Sequence, residues 1–251
     1  MLPITARAGV RIALVCQSLL YASAALAGAS DYVHTPIVEE GEREIDFKTG
    51  TAKLRDGSRE TQYSLGVGLG VTSWWSTEVY AKWHKEPGDR NRFDAWEVEN
   101  KFQFTETGKY PVDVGFLFEI ERPKDRSEGY EYRWGPLLQG DITPEVQANL
   151  NVLFTKHFHS DEPSPAELGY EWQLKYRLQP NFEYGVQGFG NVGHWDHWSP
   201  SSEQEHIVGP AVFGRIKVGD HQAIKYNAGV LFGLNHGAPR NTVRMQVEYE
   251  F

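Results

Sequence analysis

Residues 242–251 read TVRMQVEYEF, and they alternate without a break. Val243, Met245, Val247, Tyr249 and Phe251 fall on one face of an extended strand, and Thr242, Arg244, Gln246, Glu248 and Glu250 on the other. Successive side chains of a strand point to opposite sides, whereas a helix would spread these charges around its circumference. An apolar ring at a frayed terminus in water gains nothing. The same ring has a use in a strand that closes a barrel in a bilayer. Such a strand needs an apolar face against lipid, an inner face that tolerates charge, and an aromatic residue at the water–lipid boundary.

The pattern recurs along the chain. In residues 96–104, Trp96, Val98, Phe102 and Phe104 alternate with Glu97, Glu99, Lys101 and Gln103. In residues 168–178, Leu168, Tyr170, Trp172, Leu174, Tyr176 and Leu178 alternate with Gly169, Glu171, Gln173, Lys175 and Arg177. Weaker copies cover 63–71, 79–83, 112–120, 130–138, 146–154, 182–186 and 224–234. Residues 206–218 are apolar on both faces, which predicts a bulge, and a short first strand surrounds Ile45 and Phe47. The total is twelve strands. Their connections alternate between tight turns (TSWWS, TETGKY, GDITPE, LQPN, VGDH) and longer loops (KEPGDRNR, ERPKDRSE, KHFHSDEPSP, GHWDHWSPSSEQ, NHGAPRN). Short turns at one end, longer loops at the other and an even strand number define an all-β, antiparallel transmembrane barrel with both termini at the short-turn end. A soluble sandwich or lipocalin-like barrel also alternates. The asymmetry of the connections, the aromatic terminus and the length of the charged faces favour the membrane form.

The beginning of the chain agrees. Arg7 and Arg11 precede an apolar run over residues 12–26, and small residues offer cleavage after Ala27 or Ala29. Residues 1–29 therefore read as a secretory signal peptide, cleaved on export. Cys16 lies inside it, preceded by Leu14 and Val15 and not by the small residue of a lipoprotein site, so the mature chain has no cysteine for a disulfide framework. Cleavage removes two arginines and no acids, taking the net charge from −9 to −11. An acidic chain without a basic run is no candidate for nucleic-acid binding. Apolar residues are 40% and aromatics 13% of the chain, a balance suited to strands that are half apolar. No later stretch offers the ~20 apolar residues of a spanning helix. Residues 30–44 are expected to hang in the periplasm, as polar termini do, with the barrel over 45–251.

On this reading the lumen is lined by Glu97, Glu99, Lys101, Glu119, Glu131, Arg133, Glu171, Lys175, Arg177, Glu183, Arg215, Lys217, Arg244 and Glu248. Two arrangements satisfy so many charges of both signs: a salt-bridged network that stiffens the wall, or a water-filled path that selects solutes. Inward glycines at 66, 68, 70, 115, 135, 169 and 185 favour open space. Histidines gather toward the long loops. His157 and His159, with His194, Asp196 and His197, form a candidate metal-binding rim, set against interfacial histidines that only stabilise the boundary. Ser199, Ser201 and Ser202 follow His194 and His197, but no nucleophile motif surrounds them. An enzyme is not expected, and no cofactor is implied.

The terminal Tyr249–Glu250–Phe251, together with the alternation over nearly the whole mature chain, resembles bacterial outer-membrane β-barrels, in particular porin- or transporter-like ones. The resemblance implies location in the outer membrane of a Gram-negative cell and Tyr249 and Phe251 as an assembly signal. It further implies contact with outer-membrane lipids, insertion by the barrel-assembly machinery, and passive diffusion of small polar or ionic solutes through the charged lumen. A closed barrel with a binding rim and an outer-membrane hydrolase are the alternative functions.

Overall fold

The computed structural model describes residues 29–251. The signal-peptide assignment falls on residues 1–29 and so lies, except for Ala29, outside the described residues. From Arg43 onward the chain is a meander of long strands: β1 (Arg43–Lys53), β2 (Arg59–Thr72), β3 (Trp75–Lys85), β4 (Arg92–Gln103), β5 (Asp113–Pro123), β6 (Tyr130–Thr143), β7 (Val146–Phe158), β8 (Glu167–Gln179) and β9 (Phe182–His194). A two-residue β10 (His197–Trp198) folds back on the end of β9, and β11 (Glu205–Lys217), β12 (Ala223–Gly233) and β13 (Asn241–Glu250) complete the set. Every pairing is antiparallel, and β13 pairs with β1, so the twelve long strands close into a barrel without a free edge. Phe251 N–H donates to the Arg43 carbonyl at 2.9 Å, placing the last residue beside the start of β1. No helix among the described residues is long and apolar enough to cross a membrane.

The alternation read in the sequence sets the faces. Trp96, Val98, Leu65, Val67, Leu150, Leu174, Val230, Val243 and Met245 all stand exposed on the outside, an arrangement that only a lipid surround satisfies over such an area. Aromatic pairs mark both ends of this belt. Trp74–Phe102, Phe104–Phe116, Tyr176–Tyr184 and Tyr249–Phe251 lie toward the short turns, and Trp83–Phe93–Trp96 and Tyr132–Phe158 toward the long loops. Rings that are apolar in body and polar at the edge sit well at a membrane boundary. On the outer wall of β9, the Trp172 and Tyr170 rings cover Gly188 and Gly190, supplying surface where the strand has none.

Two sequence expectations are corrected. β11 carries no bulge: its register with β9 and β12 is continuous. Its inward apolar residues are instead packing groups, with Ile207 joining Val33, Phe189, Leu231 and Ala238 in a buried cluster inside the barrel. Register shifts occur elsewhere, at Gly70/Thr72, Lys82/Trp83, Asp141/Thr143, Glu167/Gly169 and Tyr176/Gln179. Residues 30–44 do not hang in the periplasm. Residues 29–38 lie inside the barrel, with Ala29, Val33, His34, Pro36 and Val38 all buried, and residues 39–41 are exposed at the short-turn mouth.

The outer belt predicts a depth-dependent penalty. Val98→Arg, at the centre of β4, should destabilise the barrel by about 2–4 kcal/mol in urea-reversible folding into lipid vesicles, whereas Phe104→Arg, at the boundary, should cost about 1 kcal/mol or less. Equal penalties would contradict the assigned membrane position.

Candidate functional site in the barrel lumen

The inward residues of β3–β6 place carboxylates in rows. Register sets Glu78 opposite Glu99 and Glu99 opposite Glu119; one step along, Glu97 faces Glu121 and Glu121 faces Glu131. Like charges directly opposite one another repel, and buried charges need partners. Three side chains meet this demand. Lys82 Nζ reaches Glu97 at 2.9 Å and also binds Glu121. Arg133, opposite Glu119, sits 3.6 Å from it and pairs with Glu171 across the lumen. The third comes from outside the wall: His34 of the N-terminal segment enters between Glu99, Glu119 and Glu171, at 3.5, 3.4 and 3.1 Å.

The segment is held along its length. Val38 N–H donates to Gln103 Oε1 at 2.7 Å, Asn151 Nδ2 donates to the His34 carbonyl at 3.1 Å, and Ser30 N–H donates to Gln62 Oε1 at 3.3 Å. Inward glycines make room for it. Pro36 packs directly over Gly115, the Glu39 carbonyl over Gly70 and the Ala29 carbonyl over Gly50, where any Cβ would collide. The space that the glycines imply is real, but chain fills it. Tyr32 and Tyr80 clamp the buried Lys48 ammonium between their rings, 3.9 and 3.8 Å from the centroids, and Lys48 also lies 3.4 Å from Asp46. Tyr80 O–H donates to Asp46 Oδ2 at 2.9 Å, and its hydroxyl also meets Glu78.

Amide side chains link β6 to β9 across the inner wall. Gln187 donates to Gln173, Gln173 to Asn149 and Asn149 to Gln139, at 2.9–3.0 Å, and Arg244 donates to Gln187 Oε1 at 2.9 Å with its guanidinium 4.2 Å from the Phe189 ring. Leu117, Leu137 and Leu153 form a second apolar cluster facing inward. The lumen is thus packed by side chains and by the segment.

The remaining sequence-identified charges also point inward. Lys175 pairs with Glu183 at 3.0 Å, Arg177 with Asp141 at 2.9 Å and Glu131 with His157 at 3.1 Å. At the short-turn mouth Arg215 meets Glu250 at 2.8 Å, and Lys225 meets Glu248 at 2.9 Å and Glu42 at 3.4 Å. Lys217 lines a cavity of about 420 Å³ there, with Glu39, Arg215, His221 and Glu250. Lys101 lies on the same wall, one register step from Glu99 toward that mouth.

The rim histidines are dispersed. His157 Nδ1–H donates to the Glu128 carbonyl at 3.2 Å, His159 takes a positive φ of 58° in the following loop, and His194 and His197 face each other across the β9–β10 turn with Asp196 exposed between them. Among the described residues, the groupings of three ligand-type side chains are His34–Glu99–Glu119 and Glu42–Glu44–Glu248, not the rim set. Ser199 packs against Gly193 and donates its N–H to the Val192 carbonyl. Sequence reasoning therefore missed Tyr32, His34, Lys48 and Tyr80. The available signal was the segment itself, since DYVHTPIV is too rich in rings and β-branched residues for a solvated tail.

No family model matches the chain, and no curated protein matches it in sequence. Solved structures do. A KdgM porin in complex with disordered oligogalacturonate aligns at a TM-score of 0.55 with 11% identity, covering 83% of this chain and 99% of that one. A NanC porin aligns at 0.55 with 12% identity, over 82% and 98%. The translocator domain of the autotransporter NalP from Neisseria meningitidis aligns at 0.53 with 10% identity, over 85% and 88%. The chain has the fold of the bacterial outer-membrane β-barrels, and its exposed apolar belt suits a lipid surround.

Lys48→Met tests the packed lumen. Removing one partner of a buried pair should lower stability by about 3–5 kcal/mol in urea titration of the vesicle-inserted barrel. A loss below about 1 kcal/mol would mean that Lys48 is hydrated and the lumen open to water.

Proposed function

We propose that this barrel is an outer-membrane channel for small polar or ionic solutes, held shut at rest by its own residues 29–38. The observation that carries the reading is the position of that segment. It enters from the short-turn end, lies along a charged wall, and is joined to the barrel covalently only at Arg43. Closure is therefore supplied by a piece of chain that can leave, as far as Glu40, without breaking the strand ladder, which Gly41 and Glu42 extend by two backbone hydrogen bonds with Gly70. Its departure would expose the carboxylate rows, Lys82 and Arg133 to water, a lining suited to selecting charged solutes. The likeness in fold to two barrels described as porins supports a channel. The interior charges serve both earlier readings, as a salt-bridged network in the closed state and a polar path in the open one.

The contacts of the segment set how often it opens. Every ~1.4 kcal/mol removed should raise the open-to-closed ratio tenfold. Planar-bilayer recording of the mature chain should show a mostly closed channel, and a chain beginning at Arg43 should give steady conductance steps with an ion preference. A truncated barrel that is folded, inserted and still silent would overturn the proposal, placing the block in the wall side chains. Gly50→Val, which collides with the Ala29 carbonyl, should raise the open probability of the full chain without altering the step size; unchanged gating would mean that this end of the segment does not contribute to closure.

A further inference from the structure

The environment of His34 is unusual for a histidine that serves only as a counter-ion. Its Nδ1 lies 3.1 Å from Glu171 Oε2, in hydrogen-bond geometry. Glu171 is held in turn by Asn151 Nδ2 at 2.9 Å and by Arg133. A proton on Nδ1 donated to Glu171 leaves the Nε2 lone pair facing two carboxylate oxygens, Glu99 Oε2 at 3.5 Å and Glu119 Oε1 at 3.4 Å. Neither separation makes a hydrogen bond, and Glu99 Oε2 is buried with no hydrogen-bond partner at all. Three electron-rich atoms thus converge on one point, from residues no more than 5% exposed overall.

We propose that His34, Glu99 and Glu119 bind a divalent first-row transition-metal ion, with Glu171 orienting the histidine from behind. Three observations converge. The spacing fits: metal–ligand bonds of about 2.0–2.1 Å in a tetrahedral arrangement separate the ligand atoms by about 3.3–3.4 Å, close to the separations from Nε2 to the two carboxylates. The second shell fits: a metal-bound imidazole ordinarily donates its other N–H to a carboxylate, which fixes the tautomer, as Glu171 does for His34. The donor set fits: Arg133 is paired with Glu119 and Glu171, the ion pair of Glu99 is with His34 itself, and one imidazole with two carboxylates is a donor set for a divalent ion. An imidazole ligand favours zinc, copper or iron over calcium or magnesium, which prefer oxygen. The site joins the N-terminal segment to β4 and β5, so a bound ion pins the segment in the lumen. The binding site stands independently of conduction; only its role as a pin rests on the proposed channel.

The test uses the full mature chain, refolded in detergent and stripped with EDTA. Zinc added in slight excess and then desalted should remain at one ion per chain by elemental analysis, and calcium should not. His34→Gln and Glu99→Gln should abolish retention, Glu171→Gln should weaken affinity 10–100-fold, and His157→Gln at the rim should change nothing. Zinc-edge X-ray absorption on the wild type, which does not depend on any variant folding, should show one imidazole nitrogen among oxygen neighbours. No retained zinc on the folded wild type, retention that survives both His34→Gln and Glu99→Gln, or a spectrum with several imidazoles would overturn the site. Zinc retained on a barrel that stays silent both with and without its segment would instead overturn the channel reading and leave the metal site standing.

Discussion

The structure depends on one constraint: carboxylates crowded on the inside of a narrow barrel must be matched by partners, and not all of those partners belong to the wall. β3, β4 and β5 set Glu78, Glu99 and Glu119 side by side, and Glu97 beside Glu121. Lys82 and Arg133 answer part of this charge from the wall. The rest is answered by His34, carried into the lumen on a segment that precedes the first strand. The segment is consequently a structural part of the barrel, and the closed lumen follows from the electrostatics of the wall as much as from its volume.

Packing reinforces the same arrangement. Narrow glycine positions accept the backbone of the segment at Ala29, Pro36 and Glu39, and the apolar cluster of Phe189, Ile207 and Leu231 accepts Val33. One side of the segment thus faces charge and the other faces an apolar patch. A segment seated by complementary surfaces and joined to the wall at one end is a natural movable element, because its release exposes only groups that water can solvate, apart from that patch.

The wall was legible in the sequence and the content of the lumen was not, for a definite physical reason. Strand alternation is a local signal with period two, so Trp96 to Phe104 or Leu168 to Leu178 declares its own faces. The alternation of turns and loops then orders the strands, and pairing of β13 with β1 follows from an even count. Residues 30–44 carry no such period. Their partners lie up to 137 positions away, as His34 and Glu171 do, and proximity of that kind is created only when the barrel closes. The inward apolar residues of β11 were read as a bulge because Ile207 and Phe213 have no apparent use in a hydrated pore. They have one in a filled lumen. The same blindness applied to the amide chain from Gln139 to Gln187, where uncharged residues gave no reason for notice.

Occupation of the lumen by residues 29–38 is the central claim, and a single cross-link tests it. Residues 29–251 contain no cysteine, the one in the chain being Cys16. Val38 N–H donates to Gln103 Oε1 at 2.7 Å, so the two positions lie within reach of a short thiol-to-thiol cross-linker. In membranes carrying the Val38→Cys, Gln103→Cys double variant, dibromobimane should bridge the two thiols and remove both from reaction with a maleimide reagent, and neither single variant should be protected in this way. Two thiols that stay free and reactive in a folded, inserted barrel would place the segment outside the lumen and contradict the account.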